Sequence, residues 1–442
     1  MKVNANLDLD LVALETQDRI TLMLDLTAPI SEADNLRPGQ AVQVVLDRSG
    51  SMRGAPLKSA LESIQKMVDR LAPQDSFGLV AFDDQSLVIA PHRKMSEHHL
   101  PSLRQVIHQI HPGGSTDISS GYLMGLREIT QAKNNSGSTL LLISDGHANA
   151  GEKDPKKLED IASQAATNTI TTSTIGLGNG YDEKILAALA TGGGGQHRFA
   201  ATIDEAIGAI ASEVDDLLDK SAINVILKVA PVPGLTGAPA IELLQQLPHW
   251  MEGDTIVVQL GDFYAGENRR FMIDFAVPGM AALGLTTIAQ VTLEYLNLSD
   301  MKDFSVEMPI QVNVVPDDIA KGRTANPIVR AERMVLSAQS EKALANEELL
   351  QGNVKDAATR LKNSASNLLR EAANITASDE RSLESLQIIR TEADEMERLA
   401  TYAEQEEAEF SIKRNMESFS RNSRARKLRP DPNAKLENGE DK

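Results

Sequence analysis

A chain of 442 residues, 41% apolar and 24% charged, is too long for one ordinary core and has the balance of a globular protein of two or three domains. Zero cysteines exclude disulfides, thiolate metal sites and a cysteine nucleophile. The net charge of −19 argues against nucleic-acid binding, no apolar run approaches the roughly 18–20 residues of a transmembrane span, and the N-terminus has no signal-peptide pattern, so the expected location is cytoplasmic.

At the N-terminus Val3, Ala5, Leu7, Leu9 and Leu11 alternate with polar residues, as do Ile20, Leu22, Leu24 and Leu26, with "ETQD" between them. This pattern predicts a β-hairpin over residues 1–30 with one buried face. Residues 31–40, containing Pro38 and Gly39, read as a polar linker. Over residues 38–219 the rhythm changes. The short apolar runs "AVQVVL", "SFGLVAF", "STLLLIS" and "TTSTIGLG" alternate with helical spacings such as Leu57, Ala60, Leu61, Ile64, Met67, Val68 and Leu71. Pro56 and Pro155 suit the first turns of two helices. Strands alternating with helices imply βαβ units and a mostly parallel sheet covered on both faces. "TIDEAIGAIASEVDDLLDK" reads as the last helix of this part.

After Lys220 period two returns, in Ile223, Val225, Leu227 and Val229, in Phe271, Ile273, Phe275 and Val277, and in Phe304, Val306, Met308, Ile310 and Val312. Residues 221–316 therefore read as an antiparallel β-sandwich, with "AGEN" (265–268) as one of its turns. A lone hairpin is marginal in water, so residues 1–30 are expected to pair with this sandwich and the α/β domain to be an insertion in it.

Residues 326–421 read as a helical region. Pro327 opens a helix to Leu350, "QGN" breaks it, a second helix covers 354–373, and "TASDE" caps a third reaching about 420. "EELLQGNVKDAATRL" resembles one helical hairpin of a tetratricopeptide-like array. Residues 392–409 hold eight acidic residues and one basic, and 411–429 hold seven basic and one acidic. This reads as a solvated helix, with a docking segment that self-associates or binds a charged partner as the alternative. Residues 422–442 read as a disordered tail.

Chemistry concentrates in three loops. In "VVLDRSGSM" an apolar strand ends in Asp47, followed by Ser49 and Ser51. "GGSTDIS" offers Thr116 just before a helix, and "LLLISDGHAN" offers Asp145 after a strand. In an open parallel sheet, ligands bind beyond the carboxyl ends of the strands. All five side chains are hard oxygen donors, which suit Mg²⁺ or Mn²⁺. Ser49 and Ser51 are expected to ligate directly, Asp47 and Asp145 to hold metal-bound waters, and Thr116 to ligate in one of two states. Few negative charges touch such an ion, so a carboxylate from a partner protein would complete its shell. Asp117 is read as capping its loop, with a sixth ligand as the alternative.

In that order and spacing the three motifs look like a von Willebrand factor type A domain with a complete metal-ion-dependent adhesion site (MIDAS), covering about residues 41–219. The resemblance implies a doubly wound, Rossmann-like α/β domain that binds protein ligands through Mg²⁺ held by Asp47, Ser49, Ser51, Thr116 and Asp145. It also implies that a shift of the last helix can couple to the metal. With its flanking β domain the plan resembles bacterial homologues of calcium-activated chloride channel regulators, and relatives of inter-alpha-trypsin inhibitor heavy chains.

The expected function is a non-enzymatic, Mg²⁺-dependent protein-binding module that takes an Asp or Glu side chain of its partner. The rival is a scaffold oligomerising through the helical region, with the metal only stabilising. A metal-dependent phosphohydrolase with Asp47 as nucleophile is disfavoured, because Ser49 stands where such an enzyme needs a second acid. No Gly-x-Ser-x-Gly elbow surrounds Ser49 or Ser51. "GLGNG" (176–180) and "TGGGGQ" (191–196) read as strand-to-helix turns rather than phosphate loops. His98, His99 and His111 lack zinc spacing and read as surface residues.

Overall fold

The computed structural model describes residues 1–29, 39–131, 138–178, 180–202, 204–210, 220–232, 240–245, 247–373, 375, 380–405 and 408–423. The expected linker before residue 39, the last α/β helix beyond 210, the "TASD" cap and the tail beyond 423 lie outside these residues.

The N-terminal strands are β1 (Lys2–Leu7), β2 (Leu11–Ala13) and β3 (Asp18–Thr27). β1 pairs antiparallel with β3, but the single strand expected over residues 3–11 is broken. The Asp8 carboxylate accepts the backbone N–H groups of Leu9 and Thr21, both at 2.7 Å, which ends the ladder. Leu11–Ala13 then cross to a different sheet.

The α/β part follows as β4 (Ala41–Asp47), α1 (Ala55–Arg70), β5 (Ser76–Phe82), β6 (Ser86–Lys94), α2 (Leu100–His108), α3 (Ile118–Gln131), β7 (Ser138–Ser144), α4 (Pro155–Thr167), β8 (Ile170–Leu177), α5 (Glu183–Gly192), β9 (Gly194–Ala200) and α6 (residues 204–210). Its sheet order is β6-β5-β4-β7-β8-β9, parallel except for β6. Strands β4, β5 and β7 are buried along their whole length, as their unbroken apolar runs require. One face packs Val42, Val44 and Leu46 against α1, α2 and α6. The other packs Val45, Val80 and Phe82 against α3, α4 and α5. From β4 the chain winds outward through β5 and β6, then returns to place β7 on the other side of β4, so the winding reverses between β4 and β7.

The remaining strands are β10 (Lys220–Pro231), β11 (Ala240–Leu243), β12 (His249–Glu252), β13 (Thr255–Tyr264), β14 (Asn268–Val277), β15 (Gly284–Asn297) and β16 (Lys302–Val315). They complete two sheets, β1-β3-β14-β11 and β12-β13-β10-β15-β16-β2. Pairing is antiparallel except for β2 beside β16. Ile20, Leu22, Leu24 and Leu26 of β3 share one core with Val225, Leu227, Phe271, Ile273, Val291 and Val312.

The helical part comprises α7 (Asp317–Lys321), α8 (Pro327–Leu350), α9 (Val354–Ala372), α10 (Glu380–Gln405) and α11 (Ala408–Ser423). The third expected helix is thus two, and α11 turns back against α8 and α10. The reading of its charges as simply solvated does not hold: Glu392 is 2% and Lys413 is 1% exposed. α8 also covers the outer face of β3 and β14, where Val329 meets Met23 and Met272. On that face the Arg270 guanidinium meets Asp25 at 3.2 Å, Glu332 at 3.5 Å and Glu384, while Arg333 meets Asp274 at 2.9 Å. A second polar joint ties the α/β part to the strands after it, because Lys220 Nζ reaches both Asp262 (2.6 Å) and Thr139 Oγ1 (2.9 Å).

Two smaller expectations are corrected. "TGGGGQ" carries the chain from α5 into β9 and so is a helix-to-strand turn. His98 is not simply on the surface, since its Nε2 lies 3.1 Å from the Phe77 carbonyl oxygen and burial lowers its pKa. Among the described residues no helix is long and apolar enough to cross a membrane.

Candidate metal centre

The site lies beyond the carboxyl ends of β4 and β7, in the crevice where the winding reverses. Asp47 is the last residue of β4 and is fully buried. Its Oδ1 accepts the Ser49 backbone N–H at 2.7 Å, and its Oδ2 accepts the Ser144 hydroxyl at 2.5 Å. The carboxylate is therefore aimed rather than free to rotate. Ser49 precedes and Ser51 lies within a single turn of 3₁₀ helix (Gly50–Met52), with their hydroxyl oxygens 3.1 Å apart. The Ser51 hydroxyl donates to Asp145 Oδ1 at 2.7 Å, which joins the β4 loop to the β7 loop.

Thr116 enters from the loop before α3. Its backbone carbonyl accepts the N–H groups of Asn149 and Ala150, so the Thr116 and Asp145 loops are also joined. The Thr116 loop is anchored from β5. Asp83 O accepts the Asp117 N–H at 2.9 Å, Asp83 Oδ2 accepts the Gly114 N–H at 3.3 Å, and Arg48 reaches Asp83 Oδ2 at 2.8 Å. A Cβ at Gly113 would sit 1.7 Å from Asp83 Oδ2, which explains the first glycine of "GGST".

Gly146 marks where the donors converge. A Cβ built there would lie 2.9 Å from Thr116 Oγ1, 3.3 Å from Ser51 Oγ and 3.5 Å from Asp47 Oδ2. One small volume beside the Asp145 loop is thus bordered by oxygens from the other two loops. The geometry brings all five expected residues to one place. Asp117 lies outside it, since its Oδ1 accepts Ser119 Oγ (2.7 Å) and the Ser120 N–H (2.9 Å) as the cap of α3.

The electrostatics are those of a crowded acidic pair. Burial raises the pKa of Asp47, against the hydrogen bonds from Ser144 and Ser49, and the nearby Asp83 charge adds to the rise. Burial pushes Asp145 up to about 6, with the Ser51 hydrogen bond opposing and the Asp47 charge adding to it. Carboxylates in this state favour a bound cation. Among the described residues no three His, Asp or Glu side chains form a metal-sized cluster, so any metal here relies on hydroxyl donors. The donor set of two carboxylates and three hydroxyls fits a hard divalent ion that keeps water in its shell. Sequence reasoning did not single out Ser144, although "LLLISDG" places a hydroxyl residue directly before Asp145 at the end of a buried strand.

Residues 42–213 match the family described as von Willebrand factor type A domain, and the chain carries that domain. Uncharacterized protein sll0103 of Synechocystis sp. is 22% identical over 332 residues, covering 73% of this chain and 77% of that one. YfbK of Escherichia coli is 27% identical over 205 residues, 46% of this chain and 35% of its own. Inter-alpha-trypsin inhibitor heavy chain H3 of Rattus norvegicus is 25% identical over 224 residues, 49% of this chain. The match spans only 25% of that heavy chain. Among solved structures, a von Willebrand factor type A protein from Catenulispora acidiphila superposes with a TM-score of 0.73 at 15% identity, over 97% of each chain. The ArnB paralog VWA2 from Sulfolobus acidocaldarius gives 0.56 at 16% identity, covering 89% of this chain and 97% of that one. At such identities these likenesses establish the fold alone.

Proposed function

We propose that the crevice between β4 and β7 is a MIDAS that holds Mg²⁺, or Mn²⁺, and through it binds an Asp or Glu side chain of a partner protein. Ser49, Ser51 and Thr116 supply neutral hydroxyl oxygens to the metal, while Asp47 and Asp145 hold its waters. The observation that carries this reading is the convergence of Thr116, Ser51 and Asp47 oxygens on Gly146, with a single carboxylate among them and Asp145 joined to Ser51 at 2.7 Å. A hard cation held mainly by hydroxyls and water retains the Lewis acidity to take one more carboxylate.

The chain's own part is to aim and desolvate. Ser144 and the Ser49 N–H fix the Asp47 carboxylate, and the Ser51–Asp145 contact sets how far apart the two loops lie. No covalent chemistry is assigned to Asp47. The residue two positions on is Ser49, whose hydroxyl does not supply the proton that a leaving group needs.

The test is Mg²⁺ titration calorimetry on wild type and Asp47→Ala, with and without a small carboxylate such as acetate. Metal binding lost in the variant, and tightened by acetate in wild type, is the expected result. A wild type that binds no Mg²⁺ would reduce the site to a strand-end turn. A scaffold that oligomerises through its helices is the second reading, and it draws on the exposed Leu344, Leu350, Leu369 and Leu383 of that region. Sedimentation of the intact chain with and without Mg²⁺ separates the two, because a metal-independent oligomer favours the scaffold.

A further inference from the structure

α11 belongs to two cores at once. Ile412 is buried with α8, α9 and α10. Phe410 packs into the α/β core cluster that holds Tyr181 and Phe199. The Phe410 ring meets Phe199 edge-on with centroids 5.7 Å apart. The two basic residues that follow point the same way. Lys413 Nζ lies 3.5 Å from Glu183 and 5.0 Å from the centre of the Tyr181 ring. Arg414 reaches Glu205 of α6 at 2.8 Å and lies 4.9 Å over the Phe199 ring. Glu205 in turn accepts the Ala201 N–H at 3.0 Å, so one carboxylate joins α11 to the exit of β9.

Tyr181 and Glu183 flank Asp182, whose backbone N–H donates to the carbonyl oxygen of Gly146 at 3.2 Å. Gly146 is the residue around which the candidate metal oxygens converge. Asp182 also caps α5, since its side chain accepts the Ile185 N–H at 3.2 Å. The contact made by α11 therefore lies one residue, on either side, from the hydrogen bond that holds the Asp145–Gly146 loop.

The opposite face of α11 sits in a polar seat. Asn415 donates to the Lys342 carbonyl oxygen at 2.8 Å, and Ser418 bridges Lys342 Nζ (2.9 Å) and Glu395 (2.8 Å). Asn415 Oδ1 and Gln339 Oε1 are buried there without a hydrogen-bond partner among the described residues. Buried acceptors left unpaired weaken a seat, and water satisfies them once it opens. A helix held by shared apolar contacts, one buried and one part-exposed ion pair and an imperfect polar seat is fixed, but not irrevocably.

We infer that α11 is a detachable strap through which the helical bundle sets the metal affinity of the α/β site. Seated, it presses Tyr181 and Glu183 into place and holds the Asp182–Gly146 hydrogen bond, so that the Asp145 loop stays at the correct distance from Ser51 and Thr116. Released, it frees that loop, and the metal weakens. By linkage, metal binding tightens the strap by the same factor. The part of this inference that concerns affinity rests on the MIDAS reading above. The part that concerns the loop does not.

The test uses the full chain and two measurements, backbone hydrogen exchange without metal and Mg²⁺ titration calorimetry. Its variants are the pair Lys413→Ala with Arg414→Ala and the stronger pair Phe410→Asp with Arg414→Glu. Lys362→Ala, which removes a bundle charge paired with Glu404, is the control. Faster exchange in α11 and at Asp182 is expected in both pairs, with Mg²⁺ affinity lowered about fivefold or more. The control should match wild type. Release of α11 with unchanged Asp182 exchange and unchanged affinity would overturn the inference, and so would an α11 that stays protected in both pairs. A wild type that binds no Mg²⁺ would instead remove the MIDAS reading, while Asp182 exchange still decides whether the strap holds the loop.

Discussion

The Ser144 hydroxyl and the Asp47 carboxylate lie 2.5 Å apart, bridging the ends of two adjacent parallel strands inside the fold. Replacing Ser144 by alanine leaves Asp47 Oδ2 without its fixed donor while removing little buried volume. Losing a hydrogen bond that orients a metal-site carboxylate typically costs about 10- to 100-fold in metal affinity. Ser144→Ala is therefore expected to lower Mg²⁺ affinity within that range and to leave the far-ultraviolet circular dichroism unchanged, which calorimetry and spectroscopy read directly. Affinity equal to wild type would show that Asp47 needs no such support.

Gly146→Ala tests the convergence point itself. A methyl group there would press against oxygens of Thr116, Ser51 and Asp47, all within 3.5 Å of its ideal position. Loss of Mg²⁺ binding by about tenfold or more is expected on the same grounds as for displaced ligand partners. Thermal stability should fall far less than metal affinity, since the crowded atoms belong to loops rather than to the packed sheet. A melting temperature that collapses together with binding would assign Gly146 to packing instead.

The pH dependence of the metal-free chain follows from the raised carboxyls. Burial pushes Asp145 up to about 6 in the folded state, whereas an exposed aspartate titrates near roughly 3.9. Between those values the folded chain keeps a proton that the unfolded chain has lost, so its contribution to stability is present at low pH and disappears as pH rises through about 6. Asp145 is half-buried, and with solvent screening the effect is of order 1 kcal/mol. Urea midpoints in chelator at pH 4.5 and pH 7 are expected to differ less in Asp145→Asn than in wild type. Midpoint differences identical in the two proteins would contradict this assignment.

Lys342 offers a test away from the site. Its ammonium group is fully buried between Glu392 at 2.6 Å and Glu395 at 3.2 Å. Lys342→Met strands the buried Glu392 charge and is expected to cost about 3–5 kcal/mol. Lys342→Met with Glu392→Leu should recover most of that loss, as apolar replacements of buried pairs generally do. Denaturant titrations of the two variants decide it, and a double variant no better than the single would show that the cost lies in shape rather than charge.

Much of this architecture was legible in the sequence because the signals were periodic. The unbroken apolar runs ending at Asp47 and Ser144 could only be strands buried on both faces, and the alternation of Phe271, Ile273 and Phe275 marked a sheet with one apolar side. What was hidden depended on contacts distant in sequence. Thr21, Asp25, Arg270 and Asp274 occupy the outward, polar register of β3 and β14, which alternation assigns to water. They are covered because α8 lies on that face with Glu332 and Arg333. The charges of α10 and α11 misled for the same reason, since Glu392 and Lys413 find partners that no local pattern announces. The five candidate ligands stood out as a set because Asp47, Thr116 and Asp145 lie at strand ends or before a helix, with Ser49 and Ser51 in the turn after Asp47. Ser144 did not, because a serine at a strand end has no signature until the strand beside it is known.

The placement of β3 has a consequence for the order in which the chain assembles. β3 pairs along its whole length with β14, so residues 18–27 have no long-lived partner beyond β1 until residues 268–277 have been made. Residues 41–200 need nothing from either side to complete their own sheet. Translation therefore delivers a complete α/β sheet while the first strands still wait. Closing a loop costs entropy that rises with its length, and a folded insert replaces most of that length with a rigid span. The polar joint of Lys220 with Thr139 and Asp262 ties β10 to that unit. Early folding of the insert thus shortens the search between β3 and its late partner, and variants that slow the insert should leave newly made chains with an exposed sheet edge prone to aggregation.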